Sequence, residues 1–297
     1  MQKGGSVSYK NELGKLIQSL EIYLQAMKDI DQSIAQLFPN AGDNPRPGIR
    51  REGIQVRTFN HLHPVNNATI QKPTGYDPYT DRTNPGQKPG LGNEPGNIWS
   101  GFKQGPNKSN CVTVASIKAA MMRFGQKPTD VFKQVIAAGD GWNIQMRDRD
   151  DRWYHLSKHE LEQATYRSEF SGDSPSMVAD SNFLYAVSAK RAQLENNDGY
   201  AGQGFERALY SINDGEPFGF NSTGFRRLGL GAHIRKVSAA NLADGRLGLV
   251  TRGVRVNGQD VPHALAVIKG REDMWGKQAG SPPANANALA LNFPDDY

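Results

Sequence analysis

The only cysteine in the chain, Cys111, stands where a polar loop, Gln104-Gly-Pro-Asn-Lys-Ser-Asn110, meets a run with helical periodicity. Val114, Ile117, Met121 and Phe124 recur at i, i+3, i+7 and i+10, one apolar stripe, and Gly125 is a natural stop. Cys111 therefore falls in the first helical turn, where unpaired backbone N–H groups and the positive end of the dipole stabilise a thiolate. A thiolate so placed is a nucleophile. A buried structural thiol is the equal alternative, because free cysteine is among the most buried residue types.

The second half supplies His263, in Val261-Pro-His-Ala-Leu-Ala-Val-Ile-Lys-Gly270, at the start of an apolar strand. A neutral imidazole held there against a helix can take a thiol proton and then stabilise the thiolate. His233, in Gly231-Ala-His-Ile, is a rival that reads better as a surface or half-buried residue. His61 and His63 have the spacing of a metal pair, but no second cluster of His, Asp or Glu accompanies them. No metal and no cofactor are expected.

Among the elements ahead of Cys111, residues 7–38 read as one helix. Leu13, Leu16, Ile17, Leu20, Leu24, Met27, Ile30, Ile34 and Leu37 form its apolar stripe. The stripe packs on the main domain or offers a contact for a secretion chaperone or a second copy. From Pro39 to about Pro106, Pro and Gly recur among Asn, Thr and Asp, the composition of a linker or an arm lying over the domain. A strand over 53–59 is its one regular element. The expected division is a helix at 1–38, an arm at 39–100 and a domain at 101–297.

Beyond the Cys111 helix, Pro128–Ala138 reads as a helix stopped by Gly139. Strands follow at Trp142–Met146 and Trp153–Leu156, and Ser157-Lys-His-Glu160 is a capping box opening a helix to about Phe170. His155 and His159 beside it read as rim residues. Helices at Ser176–Leu194 and Ala201–Asn213 complete the helical half. Strands then read at Pro217–Asn221, Ile234–Val237, Gly248–Val256, Val261–Lys269 and Ala288–Phe293. Asn257-Gly258 makes a hairpin of two of them. Helices first and antiparallel strands second give an α+β fold.

Composition removes several function classes. The 297 residues carry a net charge of +5, a pI of about 9.2 and a mean hydropathy of −0.63. Lys and Arg are scattered, without the basic stripe and interleaved aromatics of a nucleic-acid binder. One cysteine excludes an internal disulfide framework and a four-cysteine zinc site. No apolar run approaches the ~18 residues of a membrane span, and Met1-Gln-Lys-Gly-Gly-Ser lacks the apolar region of a signal peptide. Export would use a route without a cleavable hydrophobic signal; otherwise the chain stays in the cytoplasm.

The order of these elements resembles the papain-like cysteine proteases. In that family a Gln precedes the nucleophilic Cys, the Cys opens the central helix, a helical half leads to a β half, and the His opens a strand. Here Gln104 stands seven positions before Cys111, and His263 follows Cys111 by 152. Ala290-Leu291-Asn292 is similar to the strand-ending Asn of the family. The resemblance implies that Asn292 orients the His263 ring and that Gln104 contributes to an oxyanion hole. In many bacterial effectors of this class the third member is Asp, which adds Asp273, Asp295 and Asp296 as candidates. The sequence departs from papains at Val112, where they carry Trp, and in its 29-residue spacing from His263 to Asn292.

The expectation is a papain-like thiol hydrolase that cleaves amide bonds of a protein substrate by Cys111, His263 and Asn292. Its implied setting is that of a bacterial secreted effector acting in a host or target cell. A glutamine deamidase or acyl transferase on the same scaffold, and a binding module with a structural cysteine, are the alternatives.

Overall fold

A computed structural model describes residues 76–106, 108–148, 151–216, 222–256 and 258–292. The helix expected over 7–38, the strands at 53–59 and 217–221, His61, His63, Asn257, Asp295 and Asp296 lie outside the described residues. The chain divides into units 1–66 and 67–297, and every described residue belongs to the second.

Helix α1, Cys111–Phe124, is buried from Val112 through Met121, so it is enclosed on all sides and not on one stripe alone. Its alanines at 115, 119 and 120 favour the helix and leave room for close neighbours. It ends at Gly125, whose φ of 126° and N–H bond to Met121 O close the last turn. A Cβ at Gly125 would stand 2.4 Å from the Asp130 carboxylate.

The helix expected over 128–138 is corrected. Helix α2 spans Pro128–Val131 only, and the chain then enters strand β1, Gln134–Ala138. Ala137 and Ala138 suit a helix, but Val135 and Ile136 are β-branched and find partners across a hairpin, Val135↔Ile144 and Ile136↔Asn143. Gly139, at φ 59°, serves the hairpin turn and not a helix stop. With β2, Gly141–Gln145, and β3, Trp153–Ser157, β1 forms a three-stranded antiparallel sheet.

Ser157 then caps α3, Lys158–Ser168: its Oγ accepts from Glu160 N at 3.1 Å while Glu160 Oε2 accepts from Ser157 N at 3.0 Å. Helix α4, Pro175–Leu194, is the longest described helix and its middle is buried. The helix expected over 201–213 is shorter, α5 at Phe205–Ser211, because Gly204 breaks it from a preceding 3-10 turn. A short α6, Thr223–Arg227, packs against α1.

The β half contains β4, Ile234–Val237; a short helix α7, Ala239–Ala243; β5, Gly248–Val256; β6, Gln259–Ile268; β7, Arg271–Met274; β8, Lys277–Gln278; and β9, Asn287–Leu291. These strands make one antiparallel sheet in the order β4-β9-β5-β6-β7-β8. Side chains alternate along β6. Ala264, Ala266 and Ile268 join the core that holds α1, while Leu265 and Val267 pack with Ala239 and Leu242 of α7. The chain is α+β, with the buried helix seated on the alanine-lined face of β6.

Residues 76–106 carry little regular structure yet are seated in this unit. Asp77 Oδ2 accepts the Trp142 Nε1 hydrogen bond at 2.6 Å, and Tyr79 stacks on Phe183 with ring centroids 4.6 Å apart. Ile98, Trp99 and Phe102 are buried core residues. Among the described residues no helix is long and apolar enough to cross a membrane, and no group of His, Cys, Asp and Glu is arranged to hold a metal ion.

Candidate functional site

The loop before α1 is pinned from the other side of the helical half. Asn110 makes no side-chain cap; its Nδ2 donates to Asn213 Oδ1 at 2.7 Å, and Asn213 Nδ2 donates to Tyr185 OH at 2.6 Å. Cys111 is thereby fixed as the first residue of the helix, partly buried. Its Sγ accepts the backbone N–H of Ala264 at 3.5 Å. The start of α1 and the strand position just after His263 thus meet at the thiol.

The protonation of that thiol is a correction to the low-pKa thiolate expected from the helix start. Burial pushes the Cys111 thiol up. The N–H groups of Ala264, Val112 and Cys111 oppose that rise, and the nearby Glu216 carboxylate adds to it. Glu216 is itself paired with Arg227. Desolvation outweighs the three N–H groups, and the resting sulfur is a neutral thiol.

His263 pairs across the sheet with Arg252. Its ring lies against Trp275, centroids 5.1 Å apart at an interplanar angle of 34°. Burial and, to a smaller extent, the Arg252 guanidinium push the imidazole down to about 4. Arg252 is held by Glu272 through a two-point contact, Nε to Oε1 at 2.9 Å and Nη2 to Oε2 at 2.6 Å. Neither ring nitrogen of His263 makes a hydrogen bond among the described residues, to Cys111 or to any other group. The resting state is a neutral thiol and a neutral imidazole, each at the same junction of α1 and β6.

Gln104, Ala115, His263, Ala264, Asp273 and Trp275 line one small crevice between α1 and β6. The Gln104 side-chain amide donates to Lys108 O within its own loop, so this donor is occupied. Trp275 and Gly276 form the two-residue turn joining β7 to β8, with φ of 48° and 85°. A type I′ turn requires positive φ at both positions, and a bulky residue there is an outlier. The turn holds the indole, partly exposed, on the His263 ring.

Asn292 does not reach His263. Its N–H donates to His233 O at 2.7 Å beyond the end of β9. The register runs Ala290↔Gly248, Gly248↔Val267 and Arg252↔His263, so the two residues sit two strands apart and about six residues apart along the sheet. At a rise of ~3.3 Å per residue that is about 20 Å. Asp273, one strand over from Ala266 and lining the crevice with His263, is the candidate the fold brings near. Its Oδ2 is bound by Lys118 Nζ at 3.0 Å.

His233, beside β4 at the sheet's opposite edge, is far from the thiol. His155 and His159 are exposed, and the His155 ring sits between Asn143 and Asp140. Sequence reasoning missed Lys118, Trp275 and the Arg252–Glu272 pair. Lys118 had a visible signal: it stands between Ile117 and Ala119 in a stretch otherwise free of charge from Val112 to Met122. No family model, no curated protein and no solved structure matches this chain.

Proposed function

We propose that this chain is a thiol hydrolase on a papain-like scaffold, with Cys111 as nucleophile, His263 as general base and acid, and Asp273 in place of Asn292 as the group that orients the imidazolium. The observation that carries the reading is the hydrogen bond from Ala264 N–H to Cys111 Sγ, which joins the helix start to the strand directly after His263. In the reaction, the imidazole takes the thiol proton as Sγ bonds to an amide carbon. The oxyanion faces the Cys111 N–H and the Gln104 amide once that amide leaves Lys108 O. The imidazolium returns its proton to the departing amine, and water activated by His263 hydrolyses the thioester to an acid and the free thiol.

The neutral resting pair fits base-assisted attack. An imidazole that stays unprotonated well below neutral pH is available to accept the proton, and the thiol needs no prior ionisation. The substrate class is a protein amide, and the setting of a secreted effector rests on the sequence resemblance. The test is mass spectrometry of a cell lysate incubated with wild type or Cys111→Ala. Cuts made only by the wild type support a protease, and mass increases of about 1 Da at Gln without cuts point to deamidation by the same thiol.

One observation favours a second reading, a binding module with a structural cysteine. Burial raises the thiol, and no imidazole is hydrogen-bonded to it. Thiol chemistry separates the two readings, because a structural thiol gains no reactivity from His263.

A further inference from the structure

Lys118 is a charged residue with no exposed surface at the centre of α1, two turns after Cys111. Its Nζ donates to Trp99 O at 2.8 Å, binds Asp273 Oδ2 at 3.0 Å and lies 5.1 Å from the centroid of the Phe102 ring. Burying an ion pair is a poor way to gain stability, since desolvation of both charges offsets their attraction. Asp273 is buried as well; the Gly276 N–H lies near its carboxylate and favours its charge, but among the described residues Oδ1 has no partner in hydrogen-bond geometry. Buried carboxylate oxygens are normally satisfied. The unpaired oxygen belongs to a residue of the crevice shared with His263, whose ring likewise makes no hydrogen bond among the described residues. One unused acceptor and one unused donor thus border one crevice, which is also lined by Ala264, the donor to Cys111 Sγ.

We propose that Lys118 is a positioning residue for the reaction at Cys111: it clamps Asp273 through Oδ2 and keeps Asp273 ionised, leaving Oδ1 to accept the N–H of the His263 imidazolium as the thiol proton arrives. The inference rests on the reading of Cys111 and His263 as nucleophile and base. The other charged groups around the pair are accounted for. Glu216 faces the thiol, and Arg252, tied to Glu272, faces the imidazole and opposes its charging. Lys103 packs its stem on Gly276 of the neighbouring turn. Asp273 is the carboxylate of the crevice that can offset Arg252; burial pushes its carboxyl up, and the charge and hydrogen bond of Lys118 are the largest opposing influence, so removing them leaves burial to favour the protonated form further.

The test is the pH dependence of Cys111 alkylation by iodoacetamide. In that step Sγ bonds to carbon, iodide leaves with the C–I electron pair, and the thiol proton passes to His263. Lys118→Gln still donates to Trp99 O but carries no charge. Its rate should be restored only at pH values about 1–3 units above those that suffice for the wild type, as expected on removing an opposite charge from a carboxylate. Lys118→Arg should restore the wild-type profile. In an Asp273→Asn background, Lys118→Gln should change the rate by less than about twofold, because the two residues act as one unit.

A folded Lys118→Gln protein with the wild-type profile, or effects of the two substitutions that multiply, would overturn the proposal. One measurement needs no variant. The side-chain carboxyl ¹³C shift of Asp273 should be that of a carboxylate at pH 7, and a protonated carboxyl there contradicts it. If wild type and His263→Ala alkylate alike, the nucleophile reading itself fails, an outcome separate from any Lys118 effect.

Discussion

The N–H of Ala264 donates to Cys111 Sγ at 3.5 Å although the two residues lie 153 positions apart. The contact depends on how closely α1 approaches β6, and that approach depends on small side chains. Ala115 and Ala119 on the helix and Ala264 and Ala266 on the strand are all buried in one core. Ala266→Leu should push the helix away, cost about 1–3 kcal/mol of stability and slow Cys111 alkylation. Denaturant midpoints and alkylation rates check the two effects together. A substitution that leaves both unchanged means that this packing does not set the site.

His263 should make the protein acid-sensitive in a defined window. Its folded value, about 4, lies below the ordinary 6.5, so the unfolded chain binds more protons between them. The stability it contributes is complete above about 6.5 and is lost as pH falls toward 4, a change of about 3 kcal/mol. Unfolding free energies of wild type and His263→Gln from pH 4 to 8 should converge at the acid end, with the variant's curve flatter. Parallel curves would show that the imidazole titrates normally.

Asp180 works with the opposite sign. It is buried in α4, accepts Gln126 Nε2 at 2.8 Å, and burial pushes its carboxyl up to about 6. The folded state therefore favours the protonated acid, and that contribution is lost as pH rises from about 4 through 6. Asp180→Asn keeps an acceptor for Gln126 and removes the charge, so it should raise stability at pH 7.5 by about 3 kcal/mol. At pH 4 it should change little. Thermal melts at both values test this, and an equal shift at both would contradict the assignment.

Much of the scaffold was legible because local rules and tertiary packing agreed. Ser157 and Glu160 formed their capping box, β5 and β6 paired from Val256↔Gln259 as a hairpin, and α1 began at Cys111. Where they disagreed, packing won: Ala137 and Ala138 favoured a helix, yet Val135 and Ile136 found strand partners. Cys111 was legible as the first residue of α1, but His263, expected to open a strand, lies in the middle of β6, because the strand pairing runs on to Gln259. Asn292 misled because a strand end says nothing about which strand separates it from its supposed partner, and β5 does so here, together with the offset along the sheet. The direction of the thiol's shift was also hidden, since the helix start is visible in sequence and the desolvation around it is not.

The most direct test of Cys111 as a nucleophile served by His263 is the iodoacetamide alkylation rate at pH 6.5 in wild type, His263→Ala and the urea-unfolded chain. The account requires native wild type to react at least about tenfold faster than native His263→Ala and faster than the unfolded chain, in keeping with general-base assistance. A native thiol that reacts slowly, is indifferent to His263 and speeds up only on unfolding would contradict it and leave Cys111 as a core residue.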